Sequence, residues 1–302
     1  MKPVGRFAPT PSGRMHMGNL FAALLAWLSV RSRGGTLILR MEDLDTQRTK
    51  PEYADTLRRD LEWLGLYWDK EMQCQSQRDS HYEEALNILG AKGLIYPCYC
   101  SRNRLHSVAA PHLGESTFVY DGHCWNLTAG ERQAMDRPPA WRLEVPDKEI
   151  VFRDRLQGLY RENLARDCGD FILRRSDGMF VYQLAVVVDD AAAGVTEVVR
   201  GRDLLSSTPR QMYLQSLLGY PTPEYGHVPL LLSADGRRLS KRDRDMDLGL
   251  LSRTMTPEEI VGRLAYWAGL QERDEATDLQ SLMHRFDWNR VRREDITVIT
   301  NP

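Results

Sequence analysis

The chain has 302 residues, of which 42% are hydrophobic and 27% charged, the profile of a globular protein with enough length for one large domain or two smaller ones. Its net charge of −2 excludes a basic surface over the whole molecule, so any RNA contact must come from a local patch. No apolar run approaches the roughly 20 residues that span a bilayer. No signal peptide is recognisable at the start of the sequence either. We therefore expect a cytoplasmic, monomeric protein without a membrane partner.

The first part of the chain alternates predicted strands and helices. Residues 4–8 form a short predicted strand, and residues 9–13, with two prolines and a glycine, form a loop. A buried apolar helix is predicted over 18–30, a second strand over 36–41, and an amphipathic helix over 51–64. This order indicates a parallel α/β sheet.

The segment 93–167 interrupts this alternation, because it contains clustered cysteines, several prolines and short β-like pieces such as 140–145. We interpret it as an insertion, after which the α/β pattern resumes. The chain beyond Lys241 is predicted to be helical. The later predicted elements are strands over 171–174, 196–199 and 226–232 and helices over 182–192 and 208–218, the last with Pro209 at its first position.

The loop after the first strand carries one histidine, His16, directly before the first helix. Backbone N–H groups at a helix start attract anions, and Gly18 allows a nucleotide to approach closely. His16 can donate a hydrogen bond to a phosphate there, or it can act only as a helix cap. The residue pattern alone leaves both interpretations open.

A second loop follows the strand predicted over 226–232 and contains Leu239-Ser240-Lys241-Arg242. A mobile basic loop can close over a triphosphate, and Lys241 would then neutralise the charge that develops as pyrophosphate leaves. The alternative is a solvated charged turn, since acidic and basic residues alternate after Lys241.

Both loops resemble the signatures of glutamyl-type class I aminoacyl-tRNA synthetases. Residues 6–13 followed by His16-Met17-Gly18-Asn19 resemble the first signature, H-I-G-H, with Asn19 in the last position. The Leu-Ser-Lys-Arg run at 239–242 resembles the second signature, K-M-S-K-S. The two signatures occur in the expected order, and the resemblance extends over nearly the whole chain.

This resemblance implies ATP as a substrate, with Mg²⁺ assisting, and glutamate as the amino acid. His16 and Lys241 would be the catalytic residues that stabilise the transferring charge. The implied ATP-binding residues are His16, Gly18, Asn19, Ser240 and Lys241. The implied glutamate-binding residues are Arg6, Phe7, Ala8, Pro9, Thr10, Glu42, Tyr182 and Arg200.

The chemistry of glutamate fits that set, because two carboxylates and one ammonium require cations and an anion together. Arg6 and Arg200 can each grip a carboxylate with two hydrogen bonds, and Glu42 can accept the ammonium. Tyr182 can add a hydrogen bond. The structural alternatives are an Arg6–Glu42 ion pair between neighbouring strands and a half-buried aromatic at position 182.

Three of the five cysteines, Cys98, Cys100 and Cys124, lie close together in the sequence, as expected for a tetrahedral zinc site. The fourth ligand is Tyr120 or His123. General zinc chemistry favours the histidine, whereas the family resemblance favours Tyr120. We expect one structural zinc ion held by Cys98, Cys100, Tyr120 and Cys124; the alternative is a set of small buried cysteines without metal.

Two features resemble a short paralogue of this family rather than a full-length synthetase. The residues after Lys241 are too few for a helical anticodon-binding domain, and Gly201-Arg202-Asp203 departs from the usual G-E-D-H-I pattern. The paralogue attaches glutamate to the queuosine base at the wobble position of tRNA(Asp), which the resemblance makes the expected partner. The alternatives are a truncated synthetase charging the 3′ end of tRNA(Glu) and a non-catalytic paralogue that binds nucleotide or tRNA.

The expected fold is α/β: a Rossmann-like class I synthetase catalytic domain with a zinc-containing insertion and a small C-terminal helical region. Residues 1–92 and 168–245 are its predicted halves, the second ending in the K-M-S-K-S-type loop. Residues 93–167 are the predicted zinc-binding, acceptor-type insertion. Residues 246–302 are the predicted helical, stem-contact-like region.

Overall fold

The computed structural model describes residues 2–101, 104, 119–239 and 246–298. Ser240 and Lys241 lie outside the described residues. The strands are β1 (Val4–Phe7), β2 (Thr36–Leu39), β3 (Lys70–Glu71), β4 (Ile95–Cys98), β5 (Ala140–Leu143), β6 (Glu149–Asp154), β7 (Gly158–Asn163), β8 (Phe171–Arg174), β9 (Glu197–Gly201), β10 (Glu224–Val228), β11 (Leu231–Leu232) and β12 (Ile296–Thr297). The helices are α1 (Met17–Arg31), α2 (Pro51–Trp63), α3 (Asp79–Ala91), α4 (Ala129–Gln133), α5 (Leu164–Asp167), α6 (Tyr182–Ala192), α7 (Ser207–Leu218), α8 (Leu248–Leu251), α9 (Pro257–Ala268) and α10 (Leu279–His284).

The centre of the molecule is a five-stranded parallel sheet in the order β10-β9-β1-β2-β3. The chain builds outward from β1 to β2 and β3, and later adds β9 and β10 on the other side of β1. The strand order therefore reverses between β1 and β9, and open α/β sheets bind ligands at the carboxyl end of such a switch point. The predicted parallel α/β sheet is confirmed.

Helix α1 packs against this sheet and is buried on almost every side, as its nearly continuous apolar sequence predicts. Leu20, Leu24 and Leu28 are fully buried, and each contributes about 1.5–3 kcal/mol of hydrophobic stabilisation. Because α1 is held so firmly, its first turn is a rigid platform for the loop that precedes it.

The residues between the two parts of the parallel sheet build separate antiparallel structure. Strands β4, β5 and β8 form a three-stranded sheet, and β6 and β7 form a hairpin. The backbone N–H of Arg155, in the hairpin turn, donates to the carbonyl of Tyr225 at 2.9 Å. The hairpin turn therefore lies against β10. In the described part of the chain, no helix has the length and apolarity needed to cross a membrane.

Three details of the predicted elements are wrong. Helix α7 begins at Ser207, so Pro209 occupies its third position, which is tolerated because first-turn N–H groups need no intrahelical partner. The single strand predicted over 226–232 is two strands, β10 and β11, separated by Pro229, which cannot donate to a ladder. The C-terminal region is not wholly helical, because β12 pairs with β11.

Candidate active site

A cleft of about 490 Å³ opens at the carboxyl ends of β1 and β9. Leu239, the first residue of the second signature and the last described one before residue 246, also lines it. The predicted substrate-binding residues within the described chain all line this cleft: Arg6, Phe7, Ala8, Pro9, Thr10, His16, Gly18, Asn19, Glu42, Tyr182 and Arg200. The structure thus brings together residues that are up to 194 positions apart in sequence, as the numbering of Arg6 and Arg200 shows.

His16 caps helix α1. Its backbone is extended, its Nδ1 accepts from the N–H of Gly18 at 3.1 Å, and Asn19 Oδ1 accepts from the His16 N–H at 3.4 Å. Because Nδ1 is an acceptor, the neutral ring carries its proton on Nε2, which is a donor. The capping interpretation is therefore correct, and it is compatible with donation to a phosphate.

Gly18 allows this cap to form. A Cβ at this position would lie 3.0 Å from His16 Cε1, so any larger residue would push against the imidazole ring. The glycine thus keeps the His16 ring in its capping position, and its missing side chain leaves space at this edge of the cleft.

Arg6 points from β1 into the cleft and is almost fully buried. Its Nε lies 3.5 Å from Asp190 Oδ2, and its Nη1 donates to the carbonyl of Val199 at 3.4 Å. The ion pair therefore joins Arg6 to Asp190, and the alternative Arg6–Glu42 pair does not form. Among the described residues, Nη2 has no hydrogen-bond partner, so both of its N–H groups can donate into the cleft.

Glu42 is supported by the fully buried Arg40, whose Nη2 lies 3.1 Å from Glu42 Oε1 and whose Nη1 lies 2.5 Å from Asp190 Oδ1. Burial would lower the pKa of Arg40, but the carboxylates of Asp190, Glu42 and Asp189 raise it above its ordinary value. Burial raises the pKa of Glu42, although Arg40 and Arg6 act in the opposite direction. A ligand cation beside Glu42 would favour its charged form.

Arg200 has fewer donors to offer than the sequence suggested. Its Nε donates to His227 Nε2 at 3.0 Å, its Nη2 to Thr208 Oγ1 at 2.9 Å and Leu204 O at 3.4 Å, and its Nη1 to the Tyr182 hydroxyl at 3.2 Å. Of the five N–H groups of an arginine, one on Nη1 is left. A bidentate grip by Arg200 alone is therefore excluded.

Tyr182 supplies the second donor. Its oxygen accepts from Arg200, which leaves the hydroxyl proton available as a donor. That proton makes no hydrogen bond to any of the described residues. Burial raises the pKa of Tyr182, so the hydroxyl keeps that proton. Arg200 and Tyr182 together thus present one N–H and one O–H to the cleft.

The sequence did not single out the groups behind these side chains. Asp189-Asp190 stands out afterwards as an acidic pair in an otherwise apolar helix, and both side chains are buried beneath the cleft. His227, which contacts Arg200, and Asp154, which contacts His227, carried no local signal, because a histidine in a strand and an aspartate at the end of one are ordinary.

The three clustered cysteines meet within the described residues. The Sγ atoms of Cys98, Cys100 and Cys124 lie within 4.8 Å of one another. The Tyr120 hydroxyl lies 3.4 Å from Cys98 Sγ and 3.5 Å from Cys100 Sγ. His123 is exposed and does not belong to this cluster. Three thiols and one phenol at this spacing are a donor set that fits a tetrahedral metal ion.

The Arg142 guanidinium stacks on the Tyr120 ring with its carbon 3.7 Å from the ring centroid. Burial raises the pKa of Cys100 to about 11 and also raises the pKa of Tyr120. A bound cation would reverse this preference, because coordination stabilises the deprotonated ligands.

Comparison with known proteins agrees with this architecture. A family model described as tRNA synthetases class I (E and Q), catalytic domain, matches residues 3–298. A glutamate tRNA ligase from Elizabethkingia meningosepticum, solved in complex with its amino acid, superposes with a TM-score of 0.84 at 25% identity, over 98% of this chain and 67% of that one. The fold is that of a class I synthetase catalytic domain, which confirms the predicted family resemblance.

Closer relatives narrow the class. A protein of Symbiobacterium thermophilum named Glutamyl-Q tRNA(Asp) synthetase is 47% identical over 97% of this chain and 95% of its own length. A protein of the same name from Thiobacillus denitrificans is 51% identical over 80% of this chain and 78% of its own length. The chain belongs to the family of glutamyl-Q tRNA(Asp) synthetases.

Proposed function

We propose that this protein activates glutamate with ATP and transfers the glutamyl group to the queuosine base of tRNA(Asp). One observation carries the amino-acid assignment. The cleft combines donors from Arg6 and from the Arg200–Tyr182 pair with one partly buried carboxylate, Glu42, which matches the two carboxylates and one ammonium of glutamate. The acceptor assignment rests on the family of the relatives.

In the activation step, an oxygen of the glutamate α-carboxylate forms a bond to the α-phosphorus of ATP. The bond from that phosphorus to the bridging oxygen breaks, and pyrophosphate leaves. His16 Nε2 is the donor that we assign to the phosphates, beside Gly18 and Asn19 at the start of α1. Ser240, Lys241 and Mg²⁺ complete the proposed charge stabilisation.

In the transfer step, a hydroxyl of the queuosine cyclopentenediol attacks the carbonyl carbon of glutamyl-adenylate. The new ester bond forms, the bond to the phosphate oxygen breaks, AMP leaves with the electron pair, and the hydroxyl proton is released to solvent. The protein contributes by positioning the two reactants, which removes much of the entropic barrier.

The acceptor can be tested with tRNA species that differ only in the proposed target. We expect glutamate to attach to queuosine-containing tRNA(Asp) and not to the same tRNA from cells that make no queuosine. Periodate oxidation of the 3′-terminal ribose, carried out with the queuosine diol protected, should leave charging intact. Charging of tRNA(Glu) that periodate abolishes would instead identify a truncated synthetase.

Activation can be tested without any tRNA. Pyrophosphate exchange into ATP should depend on glutamate and should occur in the absence of tRNA. Absence of exchange, together with binding of ATP or tRNA, would support the non-catalytic alternative.

Glutamate binding should weaken at acidic pH. The pKa of Glu42 lies above its ordinary value in the folded protein, and the bound ammonium favours the carboxylate, so binding is linked to loss of a proton. The affinity should be fully present above this raised pKa and should fall as the pH drops through it. Calorimetry of glutamate binding between pH 5 and 8 measures this, and Glu42→Gln should bind weakly without the same dependence.

We also propose that one structural zinc ion binds Cys98, Cys100, Tyr120 and Cys124. The mutual distances of the three sulfur atoms and the position of the Tyr120 hydroxyl support this set. When bound, the ion would tie Cys98 and Cys100, at and after the end of β4, to Tyr120 and Cys124.

Purified protein should therefore contain about one zinc ion per chain by elemental analysis. Tyr120→Phe should lower the zinc affinity, measured by competition with a chelator, more than His123→Ala does. Cys168→Ser is a matched control, because Cys168 is buried outside the cluster and should retain full zinc content. Zinc-free protein prepared without chelators would refute the site, and a larger effect of His123→Ala would change the fourth ligand.

We propose the same division into domains that the sequence analysis predicts. Residues 1–92 and 168–245 would form the two halves of the catalytic domain, 93–167 the zinc-binding insertion, and 246–302 the stem-contact-like region. We propose a monomer that acts in the cytoplasm, where its tRNA substrate would be found.

A further inference from the structure

Behind the cleft, Arg200 contacts a buried chain of polar groups that do not line the cleft themselves. Arg200 Nε donates to His227 Nε2 at 3.0 Å, and His227 Nδ1 lies 2.6 Å from Asp154 Oδ2. Thr208 Oγ1 accepts from Arg200 Nη2 at 2.9 Å and lies 3.2 Å from His227 Nε2. His227 and Thr208 are fully buried, and Asp154 is 2% exposed.

The hydrogen bonds allow only one protonation state of His227. Arg200 can only donate, so Nε2 must be the acceptor, and Asp154 as a carboxylate can only accept, so Nδ1 must carry the proton. Burial and the neighbouring Arg200 lower the pKa of His227 against the opposing effect of Asp154. The ring is therefore neutral, with its proton on Nδ1.

Asp154 is itself fixed by backbone donors. Its Oδ1 accepts from the N–H groups of Leu156 and Gln157, both at 2.9 Å, and both its oxygens lie 3.1 Å from the backbone nitrogen of His227. The carboxylate thus closes the turn between β6 and β7 and, at the same time, sets the tautomer of His227.

We propose that His227 and Asp154 are positioning residues that hold the Arg200 guanidinium in place for the glutamate carboxylate through a neutral imidazole. The neutral ring matters because a carboxylate in direct contact with Arg200 would cancel part of the positive charge that the substrate must meet. With Asp154 one ring further away, Arg200 is oriented by an uncharged acceptor and keeps its attraction for an anion. The proposal rests on the glutamate-binding function for its kinetic test, but not for its spectroscopic one.

Asp154→Asn makes the sharpest spectroscopic test. The amide oxygen of the asparagine should stay with the backbone donors at Oδ1, which places its NH₂ group against His227 Nδ1. The histidine proton must then move to Nε2, where it points at the N–H of Arg200 and breaks that hydrogen bond.

In ¹⁵N spectra of the imidazole rings, wild-type His227 should be neutral with its proton on Nδ1, and Asp154→Asn should show the proton on Nε2. The absence of one histidine signal in a His227→Gln sample assigns the resonance. A charged ring or an Nε2 proton in the wild-type protein would overturn the proposal, and so would an unchanged tautomer in Asp154→Asn.

Two substitutions at position 227 make the kinetic test. Glutamine can place an oxygen near the position of Nε2 and accept from Arg200, whereas asparagine retains a donor to Asp154 but cannot reach Arg200. In pyrophosphate exchange, His227→Asn and Asp154→Asn should raise the glutamate KM at least about tenfold, the effect of one hydrogen bond to a charged group. The ATP KM should change by less than about twofold, and His227→Gln should retain most of the glutamate affinity.

Equal effects of His227→Gln and His227→Asn, or equal increases in the KM values for glutamate and ATP, would show a merely structural role. Wild-type protein without glutamate-dependent exchange would refute the proposed function instead, while the spectra would still decide the tautomer.

Discussion

Arg200→Ala should reduce kcat/KM for glutamate in pyrophosphate exchange by at least about 100-fold, or roughly 3 kcal/mol, because it removes one partner of a desolvated charge pair. The loss has two parts. The variant lacks the remaining N–H of Nη1, and Tyr182 loses the donor that orients its hydroxyl. ATP binding should remain close to wild type. Arg200 lies at the end of β9, whereas His16, which we assign to the phosphates, caps the first turn of α1.

Arg202→Ala is the matched control for this variant. Arg202 lies two residues further along and has a side chain 39% exposed, paired with Asp295 at 3.3 Å. Its loss should change glutamate-dependent exchange by less than about threefold, as expected for an exposed pair. Binding of ATP by equilibrium dialysis shows whether the Arg200→Ala protein is still folded. Unchanged exchange in a folded Arg200→Ala protein would place Arg200 outside the glutamate site.

The predictable part of this site came from continuous motifs. Residues 6–19 carry a strand, a loop and a helix start in one uninterrupted run, so the sequence could indicate both the cap and the cleft edge. Helix α6 also begins and ends at the predicted residues, because its apolar stretch is bounded by a turn on one side and Gly194 on the other.

The rest depends on contacts that no local pattern encodes. Asp154 and His227 are 73 residues apart, and they meet only because the β6–β7 hairpin folds back against β10. For the same reason the number of donors left on Arg200 could not be read from the sequence. The sequence shows that position 200 carries a cation. It does not show how many of the N–H groups are already hydrogen-bonded, because that number depends on where Thr208 and Leu204 lie in the fold.

Arg40 should be the residue of this network on which stability depends most. Its side chain is fully buried, 2.5 Å from Asp190 and 3.1 Å from Glu42, with Asp189 at 4.0 Å. Arg40→Met keeps a similar volume but leaves buried carboxylates without their cation. Removing one partner of a buried ion pair costs about 3–5 kcal/mol, so the free energy of unfolding from urea titration should fall by this amount at neutral pH.

The pH dependence distinguishes a lost charge pair from lost packing. Burial would raise the pKa of Asp190, but Arg40 and Arg6 hold it below its ordinary value. A carboxyl group with a lowered pKa in the folded state contributes stability above its unfolded pKa and loses it as the pH falls through the folded pKa. The stability difference between wild type and Arg40→Met should therefore be largest near neutral pH and should narrow in acid.

Arg58→Met is the control. It breaks a partly exposed pair with Glu71 and should lower the free energy of unfolding by less than about 1 kcal/mol. A deficit in Arg40→Met that stays constant from pH 7 to acid would attribute the effect to packing, because the removal of methylene contacts does not depend on protonation.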